Sequence, residues 1–262
     1  MNRIGFVACV VTAAIGLTSA AQAAPANWSG LYAGGSLGVD FLTSQRSSTA
    51  NPVFWGGGGF GPDTIPTLNS TASTTFTDES LTGSPRLGYN WQHGPLVFGV
   101  LADISTPSVD ASYSSGVRPP PPLSPGLGTY RFAYSSQARN AVTVRAVLGH
   151  SFGATLVTIS AGPAWANIHQ SGHAEFDSGC GGPNPNCDSD ASSTTTRTGW
   201  AVGAGLEHRI NAHWSMTADY VHMDFGSMTA NLPDLGGYPG SSFAQTLKVT
   251  EDTPSLGLNY RF

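Results

Sequence analysis

Six ionisable residues fall on the polar side of alternating segments: Arg86, Asp103, Arg145, Glu207, Asp219 and Arg261. Three cations and three anions facing a shared interior can neutralise one another, which removes the heavy penalty of burying unpaired ions. Such a charge network could close a lumen by pairing or, if hydrated, form a narrow ion path. Pairing is the expectation here.

Smaller groupings suggest other chemistry. His222 and Asp224 are two apart, so on a strand they share a face and the acid could orient the imidazole. Nucleophilic catalysis would also need a serine beside them, and none is clearly paired with them. His150 precedes Ser151, but neighbours on a strand face opposite ways. His169 and His173 are four apart, near Glu175 and Asp177. On a helix that spacing makes a zinc-type pair, but this Gly/Ser-rich stretch reads as loop, a place for a ligand if one exists. Cys180 and Cys187 enclose Gly181-Gly182-Pro183-Asn184-Pro185-Asn186. A disulfide could staple that turn, and an oxidising compartment favours it over zinc or two free thiols. No catalytic residue, metal or cofactor is assigned, and the reading is not of an enzyme.

The elements that must position these residues are strands. Leu31, Ala33, Leu37, Val39 and Phe41 alternate with Tyr32, Gly34, Ser36, Gly38 and Asp40. The same two-residue period recurs over 81–91, 98–104, 142–149, 157–165, 200–207, 216–220 and 255–262, while helical periodicity of comparable length is missing. That gives eight strands. Short links fall at His93-Gly94-Pro95, around Gly153 and at Arg209 to His213. Long polar links fall at about 42–77, 105–138, 167–196 and 226–245. Short turns at one end and long loops at the other mark an all-β, eight-stranded antiparallel up-and-down transmembrane β-barrel. The aromatics Trp91, Phe152, Trp214, Tyr260 and Phe262, with Trp28, sit near the short turns; Phe41, Trp165 and Trp200 sit near the long loops. Two such belts are expected at the two interfaces of a spanning barrel.

Composition agrees. Only 10% of the 262 residues are charged, against about 25% in ordinary soluble domains. A net charge of -5 offers no basic stripe for nucleic acid. Arg3, the apolar run Ile4 to Leu17 and Ala21-Gln22-Ala23 read as a signal peptide over residues 1–23. Residues 24–262 then form the barrel domain, the strands running within 28–262 and no peptidoglycan-gripping domain being expected after them.

The segment Trp28-Ser29-Gly30-Leu31-Tyr32-Ala33-Gly34-Gly35 resembles the opening of small porin-family outer-membrane proteins of alphaproteobacteria, surface-antigen barrels of the OmpA-like eight-stranded kind. Thr143-Val144-Arg145 with Leu148-Gly149, the run Gly199 to Glu207, and Ala218-Asp219-Tyr220 with Asp224 are similar to that family's later strands. Gly257 to Phe262 resembles its terminal signal, in which Tyr260 and Phe262 address the barrel-assembly machinery. Leu101, Val147 and His222 depart from the family's usual lumenal Glu, second Arg and aromatic, so a thinner charge network is expected.

The resemblance implies the outer membrane as location, with outer-membrane lipids and lipopolysaccharide as surroundings. It implies a small porin for passive diffusion, or a haemin or other ligand receptor acting through the loop of His169 and His173; the lumen charges and strand count point instead to a structural envelope protein presenting surface loops. An eight-stranded interior is just wide enough for side chains to fill, which favours the structural role. The oligomeric state is left open.

Overall fold

The computed structural model describes residues 27–50, 63–106, 109–120, 122, 128–176, 188–233 and 242–262. The signal peptide over 1–23, Asp177 and the pair Cys180 and Cys187 lie outside the described residues.

Among the described residues the strands are β1 (Gly30–Ala50), β2 (Thr74–His93), β3 (Leu96–Ser105), β4 (Val109–Ser114), β5 (Tyr130–Phe152), β6 (Thr155–Phe176), β7 (Ser189–Arg209), β8 (Trp214–Pro233) and β9 (Ser242–Arg261), with one helix, α1 (Thr64–Ala72). Neighbours pair antiparallel in the order β3-β2-β1-β9-β8-β7-β6-β5, and a β3–β5 ladder from Leu96↔His150 to Ser105↔Ala141 closes the ring. Eight strands therefore form the barrel. The short β4 prolongs the course of β3 along the far part of β5.

Most of these strands run to 20 residues or more, although about 9–11 tilted residues cross a bilayer. Val117, 68% exposed, follows β4 outside the strands; on the described strands, large apolar residues that face outward are confined to the half nearest the short turns. There Leu37 and Leu81 are each 77% exposed and Leu256 is 64% exposed. The crossing segments are thus 31–39, 81–91, 96–104, 142–152, 157–165, 200–208, 214–220 and 254–262. Beyond them the wall continues but its polarity inverts. On β1, Leu37 and Val39 point out and Ser36 and Asp40 in; farther on, Thr43, Gln45 and Ser47 point out while Leu42 is buried.

This inversion corrects the expected loops. Residues 42–50, 74–77, 109–114, 130–138, 167–176, 189–196, 226–233 and 242–245 are strand, not loop. In lipid a barrel turns its apolar side outward, whereas in water it must turn that side inward. A wall passing from one solvent to the other therefore loses its outward apolar pattern without ending. The interior of the outer half is an apolar core containing Leu42, Phe76, Phe132, Ile168, Met223, Phe225 and Leu247. The helix α1 docks on that core through Leu68 and Ala72. Ser48 ties it down, donating its Oγ–H to the Ala72 carbonyl (3.1 Å) and its N–H to Ser73 Oγ (3.0 Å).

Candidate functional site

Alternation aims the six predicted charges inward at the level of the membrane. Arg86 Nη1 meets Asp219 Oδ2 at 2.6 Å across the lumen, and its Nη2 donates to Ser36 Oγ at 2.9 Å. Arg145 pairs with Asp103 and also donates to Thr143 Oγ1 and Ser160 Oγ, each at 3.0 Å. Arg261 Nη2 lies 3.7 Å from Glu207 Oε1, which also accepts from Ser215 Oγ at 2.5 Å. All three arginines are buried. Gly203 makes room for this packing, since a Cβ there would strike Arg145 Nη1 and Ser160 Oγ.

A cavity of about 30 Å³ remains between these groups, lined by Tyr32, Arg86, Asn90, Arg145, Glu207 and Asn259 among others. That is room for a water or so, not a channel. Leu101 and Val147, the departures from the family pattern, pack with Tyr32 in a small apolar cluster beside the ion pairs.

Trp28 does not join the aromatic belt. It is 0% exposed and packs with Val97 and Leu156 as a stopper at the short-turn end. Its Nε1–H donates to Ser151 Oγ at 2.9 Å, and the guanidinium of Arg209 lies 4.7 Å from its ring centroid. A buried indole needs such an acceptor, which the inside of a barrel wall can supply. Trp91, Phe152, Trp214 and Phe262 do face outward. Tyr260 is wedged between the rings of Trp214 and Phe262, at 5.1 and 5.2 Å.

The histidine groupings resolve differently from their spacing. His222 Nδ1 bonds Asp252 Oδ1 of the neighbouring strand at 2.7 Å, not Asp224, and Tyr220 Oη donates to the same oxygen at 2.5 Å. Asp224 instead holds Lys248 at 3.1 Å. Cross-strand neighbours approach more closely than i,i+2 residues, so the register decides the partner.

His169 and His173 lie on β6, not in a loop. They bond Thr194 (2.8 Å) and Asp190 (2.7 Å) on β7, while Glu175 pairs with Arg131 at 2.6 Å. Four strand residues separate the two histidines by about 13 Å, too far to share a metal. Among the described residues no group of three His, Cys, Asp or Glu is placed to hold one.

Arg46 and Glu251 are buried charges that the sequence reading does not contain, and Asp40, which it places on the polar side of the first strand but outside the charge network, is buried too. Continuing the β1 alternation past Phe41 would have found Arg46. Asp40 accepts from Thr253 Oγ1 at 2.6 Å. Glu251 lies beside it, just beyond the membrane-crossing segment, and burial with the nearby Asp40 charge pushes its carboxyl up to about 8.

A closed, lipid-facing ring with short turns at one end defines a class, the outer-membrane β-barrel. The family model of the outer-membrane protein beta-barrel domain matches residues 10–262, and the chain belongs to that family. The 31 kDa outer-membrane immunogenic proteins of Brucella melitensis biotype 1 and Brucella suis biovar 1 are each 28% identical to it, over 88% of this chain and 95% of theirs. Among solved structures, the outer membrane protein OprG from Pseudomonas aeruginosa matches with a TM-score of 0.50 at 11% identity, over 89% of this chain and 97% of that one. The protein is thus an outer-membrane protein, with its short turns on the periplasmic side as in barrels of this kind.

Proposed function

We propose that this protein is a closed structural barrel of the outer membrane that raises its loops above the surface on an elongated wall. The observation that carries this reading is the filled lumen: three buried ion pairs, a tryptophan stopper and a cavity of about 30 Å³. The relatives named as immunogenic outer-membrane proteins support a surface-displayed role. A catalytic role has little support, because the imidazole of His222 is tied to Asp252, whose same oxygen accepts from Tyr220, on the outside of the wall. Outer-membrane lipids, lipopolysaccharide and the barrel-assembly machinery are the proposed partners, the last through the outward aromatics Tyr260 and Phe262. The test is single-channel recording of the refolded protein in planar bilayers beside its heat-dependent gel shift. A heat-shifting band without stable openings is expected; reproducible openings altered by Arg145 or Glu207 substitution would establish a diffusion pore instead.

A further inference from the structure

At the extracellular end of the crossing segments of β7, β8 and β9, the outside of the wall gathers ionisable and aromatic groups on one patch. Tyr220, His222 and Asp224 are successive outward positions on β8, between the buried Val221, Met223 and Phe225. Lys248 and Asp252 are outward on β9, and Trp200 on β7 stands opposite Asp224. Lys248 is the chain's one lysine. Side-chain contacts tie the patch together. Asp252 Oδ1 accepts from His222 Nδ1 and from Tyr220 Oη, and the Trp200 and His222 rings lie 5.4 Å apart. Asp224 Oδ2 holds Lys248 Nζ at 3.1 Å, while its Oδ1 accepts the Gly226 N–H at 2.8 Å in the bulge that follows.

Three of these groups keep bonding positions unfilled among the described residues. Asp252 takes both bonds on Oδ1 and none on Oδ2, His222 donates through Nδ1 and keeps Nε2, and Lys248 gives one of its three N–H groups to Asp224. None is sealed off: the side chains of His222, Asp252 and Lys248 are partly open, and Trp200 and Tyr220 are exposed. What lies against the wall at this depth is the headgroup layer of the outer leaflet, the level at which Trp and Tyr collect in membrane proteins. Toward the membrane centre, Val202 and Leu256 offer an exposed apolar surface to lipid chains.

An ammonium, a carboxylate oxygen and an imidazole nitrogen beside an exposed indole match a phosphorylated sugar. Phosphate oxygens accept from the ammonium, sugar hydroxyls donate to the carboxylate and imidazole, and the C–H face of the ring packs on the electron-rich face of the indole. A glycerophospholipid brings phosphate but no sugar ring for the indole, and its charge meets Asp252 uncompensated. On the reading of lipopolysaccharide as a partner, we propose that Trp200, His222, Lys248 and Asp252 form its headgroup site on the barrel, with Asp224 positioning Lys248 and Tyr220 positioning Asp252. A phosphate takes the free N–H groups of Lys248, sugar hydroxyls bond Asp252 Oδ2 and His222 Nε2, and the ring lies on Trp200. The acyl chains run down the wall over Val202 and Leu256.

The experiment is native mass spectrometry of the refolded, heat-shifting protein in detergent. It is titrated with bisphosphorylated lipid A, the same lipid stripped of phosphate, and phosphatidylglycerol. Lipid A is expected to bind saturably to the natural protein and equally to Arg139→Gln, which removes an exposed outward cation just above the crossing segment of β5. Lys248→Gln and Trp200→Ala are each expected to weaken binding about tenfold, the usual effect of losing one contact to a charged group or its equivalent. The stripped lipid is expected to bind more weakly and to be indifferent to Lys248→Gln. Lipid A held equally by the natural protein and both site variants overturns the site while leaving lipopolysaccharide as a partner; no lipid A held by the natural protein overturns both. An equal loss in Arg139→Gln overturns the site in favour of diffuse charge attraction, and phosphatidylglycerol held as tightly as lipid A overturns the recognition of sugar.

Discussion

Arg86 on β2 and Asp219 on β8 join strands that are not neighbours, their 2.6 Å ion pair spanning the lumen with β1 and β9 between them in the ring. The link is a brace across the barrel rather than a cross-strand pair along its wall. Arg86→Asp alone would leave two carboxylates facing one another in a buried space, and loss of the heat-shifting band is expected. Combining it with Asp219→Arg should restore a large part of the midpoint. Equal losses in the single and double variants would count against the brace.

Arg145→Glu should destabilise the barrel far more than it alters permeability. The Arg145 guanidinium is held by Asp103, Thr143 and Ser160 at once, so reversal sets a second buried anion beside Asp103. Breaking a buried pair from one side costs about 3–5 kcal/mol. Urea unfolding of the refolded protein measures this, and an unchanged midpoint would defeat the structural reading of the network.

Glu251 makes stability depend on pH in a defined direction. Its carboxyl titrates near 4.5 when the chain is unfolded and near 8 when it is folded. Between those values the folded chain holds a proton that the unfolded chain has released. Stability from this group is therefore full below about 4.5, falls as pH rises, and levels off above 8. Unfolding midpoints taken from pH 5 to 9 should decline in the natural protein, and Glu251→Gln should flatten that part of the curve.

The level at which the wall inverts can be located by charge scanning. Leu37→Arg places a cation on the lipid side of the crossing segment, where about 2–4 kcal/mol is the usual penalty near the midplane. Thr43→Arg, on the same side of the same strand, should cost almost nothing. Refolding yields into lipid vesicles compare the two, and similar yields would put the membrane boundary elsewhere.

The membrane half of this fold was legible because lipid imposes a sharp pattern. Leu37, Val39, Leu87 and Val144 alternate with Gly, Ser and charged residues, and the six lumen charges followed from that parity. The outer half was not legible by the same rule. Thr43, Gln45 and Ser47 look like loop residues when outward positions are expected to be apolar, and His169 and His173 were placed in a loop for the same reason. Partners were harder still. The bond from His222 to Asp252 depends on the β8–β9 register, which spacing within one strand does not contain. Trp28 carried no pattern that separates a belt from a stopper.

The polarity inversion along each strand also acts as a waterline. A barrel of 20-residue strands with a uniform outer face could ride higher or lower in the bilayer with little change in energy. Here a slide of one or two rungs would drive the Thr43 level into hydrocarbon or lift the Leu37 level into water. Draught is therefore written into the wall itself. The height at which the extracellular loops stand above the cell surface becomes a fixed dimension of the molecule, independent of what those loops contain.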